Sequence, residues 1–354
     1  LLELVAILIS LFFAMNIGAS GAAASMGVAY GAGAIPKARS ALVICAIGIL
    51  AGAISGGGEV VKTISSGIVP QEILTINLVL IVLVSATSSL FLANIIGIPL
   101  STSEVTVGAV VGVGVAYQVL YVDSLMIIMM FWVLVPVTAL LFTWILGKGL
   151  YALQKRGYKF DQKWIAYILI IAGFFEAFSA GMNNVANAVG PLVGAGLLSV
   201  TNGIWMGGVF VALGTVLLGK QVLETNGKRI TRFTKIEGIL ISTTGATLVL
   251  VSSLYGLPIP LTQVTSSSII GIGVAKNGRE ILQKQIVKKI VKIWIVSPLI
   301  SLSISYFLVK LFIDSDVYSI IVPLSVIVST IAGISLMKSI NEERRSVHED
   351  GGGI

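Results

Sequence analysis

The chain has 354 residues, 56% hydrophobic and 11% charged, with a mean hydropathy of +1.01. No soluble domain carries that balance, so a polytopic helical membrane protein is expected. A net charge of +7 is read as topology rather than nucleic-acid binding, and the single Cys45 and single His348 supply neither a disulfide within the chain nor a metal site nor a Cys/His nucleophile.

The opening stretch LLELVAILISLFFAMN has no basic n-region and is expected as a retained first helix rather than a cleaved signal. That helix is predicted from Leu1 to about Ala34, interrupted at Gly18 to Gly21. It is long enough to cross a core of roughly 30 Å at about 1.5 Å per residue. A second helix is predicted from Ala41 to about Ile64, carrying Gly56-Gly57-Gly58, Glu59 and Lys62. Ile73 to Gly114 is apolar but broken at Gly97-Ile98-Pro99, and Ser101 to Glu104 has the spacing of a capping box that starts a helix. Asp123 to Gly147 is a further span. The linker Lys148 to Lys163 carries Lys148, Lys155, Arg156, Lys159 and Lys163 against Asp161. Beyond it come Trp164 to about Leu198, Ile204 to about Val222, a second hairpin from Ile236 to Ala275, Val291 to Phe312, a last helix Val317 to Met337, and a charged tail expected to be disordered.

The second half repeats the first. FSAGMNNVANAVGP, Phe178 to Pro191, places Asn183, Asn184 and Asn187 inside an apolar run. In lipid such amides fit either a broken helix lining a cavity or an interhelical contact. A second copy favours the broken helix: NIGASGAAASMGVAYGAGA, Asn16 to Ala34, aligns at an offset of 163. GGEVVKTI (57–64) falls on GKQVLETN (219–226), and IPLSTSEVTVGAVVGVG (98–114) falls on IPLTQVTSSSIIGIGVA (259–275). Three matches in one order mark a tandem duplication whose unusual segments meet at a site.

The expected fold is an all-α polytopic membrane protein, an inverted-topology repeat with broken helices and two re-entrant helical hairpins. Its parts are a first repeat 1–147, a basic cytoplasmic linker 148–163, a second repeat 164–312, an extra transmembrane helix 313–337 and a charged cytoplasmic tail 338–354. Three crossings per half put the N-terminus outside and the C-terminus in the cytoplasm of a plasma-membrane protein. Of the 23 Lys and Arg, only Lys62 and Lys310 then lie away from the cytoplasmic side. The charge fixes orientation; the re-entrant hairpins rest on the polar tips.

Those tips and breaks supply the candidate site: Ser20, Gly21, Ser25, Ser101, Thr102, Ser103, Asn183, Asn184, Asn187, Thr265, Ser266 and Ser267, with Thr262 and Gln263 beside them. Hydroxyls and amides at helix N-termini favour an anion. Intramembrane charges are the next candidates: Glu59, Lys62, Glu104, Glu176 and Glu224, with a place near the membrane surface the alternative for Glu176. Glu59 and Lys62 are three apart and can pair, and Glu104 can serve as a helix cap. Any of the carboxylates could accept a coupling proton, Glu224 first. No cofactor is expected, and a homodimer is compatible with the sequence. HExxH, GxSxG and a paired intramembrane Asp are all absent, so an enzyme is not expected.

GMNNVANAVGPLVGAG resembles the GANDVANA-type motif of the inorganic phosphate transporter family. IPLSTSE resembles that family's P-[IV]-S-T-T-H hairpin motif, and GKQVLET its second-helix motif. The resemblance covers roughly residues 1 to 275 and implies an inverted-repeat fold that binds a tetrahedral oxyanion in symport with a cation. The family's motif aspartate falls on Gly21 and Asn184, its hairpin histidine on Glu104 and Thr265, and its second-helix glutamate on Lys62 and Glu224. Losing both aspartates weakens a sodium site and removes the acceptor that a protonated phosphate needs. Donors alone suit sulfate. The whole chain resembles the bacterial sulfate permease branch, which implies import of sulfate driven by protons, with phosphate or another oxyanion as the alternative.

Overall fold

A computed structural model describes residues 1–96, 100–157, 162–228, 233–278, 280–283, 285–316, 318 and 321. Among them there is no strand, and the order is helical throughout. Helix α1 (Leu2–Ile17) runs into a π-helical turn (Gly18–Ala22) and a short α2 (Gly27–Gly31). Next come α3 (Ala38–Gly56), α4 (Gly58–Ser66), α5 (Ile76–Ile96), α6 (Thr102–Tyr117) and α7 (Val122–Lys155). The second half holds α8 (Gln162–Gly194), α9 (Val200–Leu218), α10 (Lys220–Lys228), α11 (Lys235–Leu254), α12 (Leu261–Asn277), α13 (Glu280–Gln283) and α14 (Gln285–Phe312).

Seven of these helices are long and apolar enough to cross a membrane: α1 with its π turn, α3, α5, α7, α8, α9 and α11. The expectation of an all-α multi-pass membrane protein holds. The first hairpin's bend at 97–99, linker residues 158–161, basic residues 229–232, the last helix beyond 316 save residues 318 and 321, and the tail 338–354 lie outside the described residues.

Three local expectations need correction. The asparagine run does not break its helix: α8 is continuous from Gln162 to Gly194, with Pro191 inside it. Its amides find partners on neighbouring segments, so the backbone bonds stay intact. Only the first copy is interrupted, by the π turn at Gly18–Ala22. The second helix of each half is broken at a glycine, Gly57 between α3 and α4 and Gly219 between α9 and α10. The Ser101–Glu104 capping box is half formed. Ser101 Oγ accepts from the Glu104 N–H at 3.3 Å, while the Glu104 carboxylate turns away to Gln263. A reciprocal box forms instead at α11, where Thr234 Oγ1 accepts from Glu237 N–H and a Glu237 oxygen accepts from Thr234 N–H at 2.6 Å.

Between helices in lipid there is no hydrophobic drive, so close approach of backbones at small residues carries the packing. Helices α3 and α8 cross where a Cβ on Gly52 would lie 1.8 Å from Phe178 O and one on Gly181 would lie 2.0 Å from Ile49 O. Helix α9 meets α1 and its π turn in the same way, with Gly18 at 2.0 Å from Val211 O and Gly214 at 2.0 Å from Met15 O. The second arm of each hairpin packs on the last long helix of the other half. Gly108 of α6 faces Pro298 O of α14 at 2.4 Å, and Gly271 of α12 faces Leu140 O of α7 at 2.3 Å.

These crossings predict opposite effects for one substitution. Gly149, with no atom within 4 Å of its would-be Cβ, tolerates Gly149→Ala at unchanged or slightly higher thermal stability in detergent. Gly181→Ala forces a methyl into a carbonyl oxygen and lowers stability towards the upper end of the roughly 1–3 kcal/mol that overpacking costs.

Candidate functional site

Along α8, Asn183 and Asn187 are four residues apart and share a face, with Asn184 beside them. All three side chains are fully buried. They meet the start of α6, where Ser101 caps the helix and Thr102 and Ser103 form its first turn.

Asn183 uses its whole amide. Its Oδ1 accepts from Ser103 Oγ at 3.4 Å and from Ile259 N–H at 3.2 Å. Its Nδ2 donates to Ser253 Oγ at 3.0 Å and to Leu257 O at 2.9 Å. One side chain therefore ties α8 to the first turn of α6 and to the α11–α12 connection. The single Ser103 hydroxyl proton is shared between two acceptors, Asn183 Oδ1 and, closer at 3.0 Å, Ile259 O, which ties α6 to the α11–α12 connection. Asn184 Oδ1 accepts from Thr102 Oγ1 at 3.1 Å, but its Nδ2 has no partner. Asn187 Nδ2 donates to Ser103 Oγ at 3.2 Å and Thr102 Oγ1 at 3.4 Å, leaving its Oδ1 without a partner.

The π turn joins this cluster through Gly21. A Cβ there would lie 3.4 Å from Asn184 Nδ2 and 3.6 Å from the Thr102 methyl. Ser20 is buried and bonds back to its own helix at Ile17 O, and Ser25 is buried with an unpartnered hydroxyl. On α12, Thr265 Oγ1 donates to Glu176 Oε1 at 2.7 Å, Gln263 donates to the Glu104 carboxylate, and Ser266 and Ser267 are buried on the same stretch.

Three charged candidates lie elsewhere. Glu59 and Lys62 form a 2.7 Å pair, as their spacing allows, with side chains 55% and 63% exposed and away from the buried cluster. The break at Gly57 starts a separate, short amphipathic α4 that carries the pair outward. Glu224 is half-buried on α10, and no described hydrogen bond joins it to the cluster. Glu176 is fully buried rather than at the surface. Helical spacing held the signal: it stands seven residues before Asn183, on the same face of α8.

The descriptive model of the phosphate transporter family matches residues 17–305. The chain belongs to the phosphate transporter family. It is 63% identical to the sulfate permease CysP of Bacillus subtilis (strain 168), over the full length of both chains. A solved sodium-dependent phosphate transporter superposes with a TM-score of 0.76 at 24% identity, covering 88% of this chain and 99% of that one. That likeness establishes the family's helical fold for this chain. Membership also makes it a transporter rather than an enzyme, as the missing catalytic motifs suggest.

The hydrogen-bond inventory separates the asparagines. Asn183→Leu takes the side-chain partner from the Ile259 N–H and the Leu257 carbonyl of the α11–α12 connection, at roughly 1–3 kcal/mol for each buried group left unsatisfied. It should lower the melting temperature in detergent far more than Asn184→Leu, which removes one bond and one idle donor.

Proposed function

We propose that the protein imports sulfate across the plasma membrane by symport with protons, through alternating access. The observation that carries this is the chemistry of the cluster at Asn184, Thr102 and Gly21: buried amide and hydroxyl groups, an idle donor, and no carboxylate at either family aspartate position. Sulfate is fully ionised at neutral pH and only accepts hydrogen bonds, so a site of donors suffices. The 63% identity to a sulfate permease supports the same substrate here.

The site would comprise Ser20, Gly21, Ser25, Ser101 to Ser103, Asn184, Asn187 and Thr265 to Ser267, with Asn183 as its frame. Paired glycine contacts support the inverted repeat of 1–147 and 164–312. Gly181 against Ile49 corresponds to Gly18 against Val211, and Gly52 against Phe178 to Gly214 against Met15, each at the offset of 162 to 163. The re-entrant hairpins draw support from depth. Asn183 stands about 11 residues from the C-terminal end of α8, roughly 16 Å along the axis. That is about half of a 30 Å hydrocarbon core, and the start of α6 and the α11–α12 connection are bonded there. The basic linker supports a cytoplasmic position for 148–163, with the N-terminus outside and the C-terminus inside. Among the carboxylates considered for coupling, Glu104 has the strongest support, since it is buried beside the tips while Glu59 is exposed.

One observation favours phosphate as a second substrate. Asn187 Oδ1 is a buried acceptor without a donor, and the proton of hydrogen phosphate could bond to it.

Labelled sulfate should accumulate in proteoliposomes under an inward proton gradient, with phosphate competing weakly. Uptake that follows sodium, or that phosphate blocks better than sulfate, would count against the proposal. Gly21→Asp should weaken sulfate binding at least about tenfold, or ~1.4 kcal/mol. Gly21→Asn, of the same shape but uncharged, should lose much less.

A further inference from the structure

We propose that Glu176 is a proton-binding group of the second half, and that its protonation decides whether the tip of α12 accepts a dianion. It rests on the sulfate symport proposed above for its role in transport, though not for its location.

The residue occupies a built niche. Its side chain comes from α8 and lies between the two arms of the second hairpin, fully buried. On α12, Thr265 Oγ1 donates to Oε1 at 2.7 Å. On α11, Gly245 leaves room for the carboxyl: a Cβ there would sit 2.9 Å from Oε1. Oε2 is buried without a hydrogen-bond partner.

No described cation offsets it. The ion pairs among the described residues are Glu59–Lys62, Glu237–Lys276 and Asp314–Lys310. The neighbouring titratable group on α3 is Cys45, whose thiol donates to Ala22 O. On α11, Ser242 faces the carboxyl, while Glu237 is engaged by Tyr151 and Lys276. On α6, Glu104 is taken by Gln263, and the Glu59–Lys62 pair of α4 is exposed. A buried carboxylate with one hydrogen bond and no counter-charge is costly, whereas the neutral acid fits. Oε1 then accepts from Thr265 and the proton rides on Oε2.

The coupling follows from position. Thr265 directly precedes Ser266 and Ser267, so an ionised Glu176 would repel a dianion at that turn. A proton entering from external water onto Oε2 removes the repulsion. The same proton leaves to cytoplasmic water once the tip opens inward and the anion departs. Thr265 donates to Oε1 in both states. The equivalent position of the first half is Phe13, so this group exists once per chain.

Infrared titration of the purified protein in detergent tests the site without transport. A protonated-carboxyl band should be present at neutral pH and missing in Glu176→Gln; an unchanged band in that variant overturns the proposal. In proteoliposomes, Glu176→Gln should lower gradient-driven sulfate accumulation at least about tenfold and flatten the pH dependence of sulfate exchange. Wild-type accumulation in Glu176→Gln also overturns it. Wild-type protein that carries no sulfate instead refutes the proposed substrate, and the infrared band still decides the proton site. Should Glu176→Gln fail to fold, Thr265→Val substitutes for it. Exchange falls as pH rises and the carboxyl ionises. Removing the Thr265 donor disfavours the ionised form, so the fall should move to higher pH and the carboxyl band should shift. A band and profile indifferent to Thr265→Val overturn the proposal.

Discussion

An amide at bilayer depth has no water to bond, so its partners must come from the protein. Asn183 meets that demand with four bonds, two as acceptor and two as donor, and they reach the start of α6 and the end of α11 with its connection to α12. The requirement of one side chain thereby fixes three segments relative to each other. With Asn183 saturated, Asn184 and Asn187 are free to hold idle groups, because the frame does not need them. The division between a satisfied amide and two partly idle ones is what turns a packing contact into a place where a polar solute has something to gain.

The glycine crossings explain how such a frame can also move. Each hairpin's second arm lies against the long helix of the opposite half, α6 on α14 and α12 on α7. Backbone-to-backbone contact at small residues involves few interlocking side chains. Such a surface can slide with little change in buried volume, while the polar ties at the bends are discrete and must be exchanged. A mechanism that opens one side at a time would therefore be resisted mainly at the Asn183 and Ser103 bonds. An anion supplying new acceptors in that same layer is well placed to alter which of those bonds persists.

Much of this was legible in the chain. The apolar runs gave the helices, because hydrocarbon leaves so few alternatives. The repeat offset identified the polar residues that meet, since Thr102 and Ser103 do bond Asn184 and Asn187. Periodicity failed where a local rule met a tertiary one. Three asparagines and two glycines looked like a helix break, but partners eighty residues away left α8 whole. Glu59 and Lys62 pair as their spacing allows, on the exposed side of α4 and away from the buried cluster. The bond from Gln263 to Glu104 joins the two tips, and no spacing rule relates residues so far apart in sequence.

Two of the positions where the chain departs from the family motifs, Gly21 and Asn184, belong to one physical problem. A carboxylate at Gly21 would stand beside Asn184 and Thr102, and one at Asn184 would stand beside Gly21. Two negative charges in that layer need a bound cation to be tolerated, and they offer an acceptor to a solute that carries a proton. Replacing both with neutral groups removes the need for the cation and the reward for the solute's proton together. Under the proposed sulfate symport, substrate and coupling ion change as a pair. Charge balance for the dianion would then come from protons on carboxyls buried nearby, and the described tips touch two of them, Glu104 and Glu176.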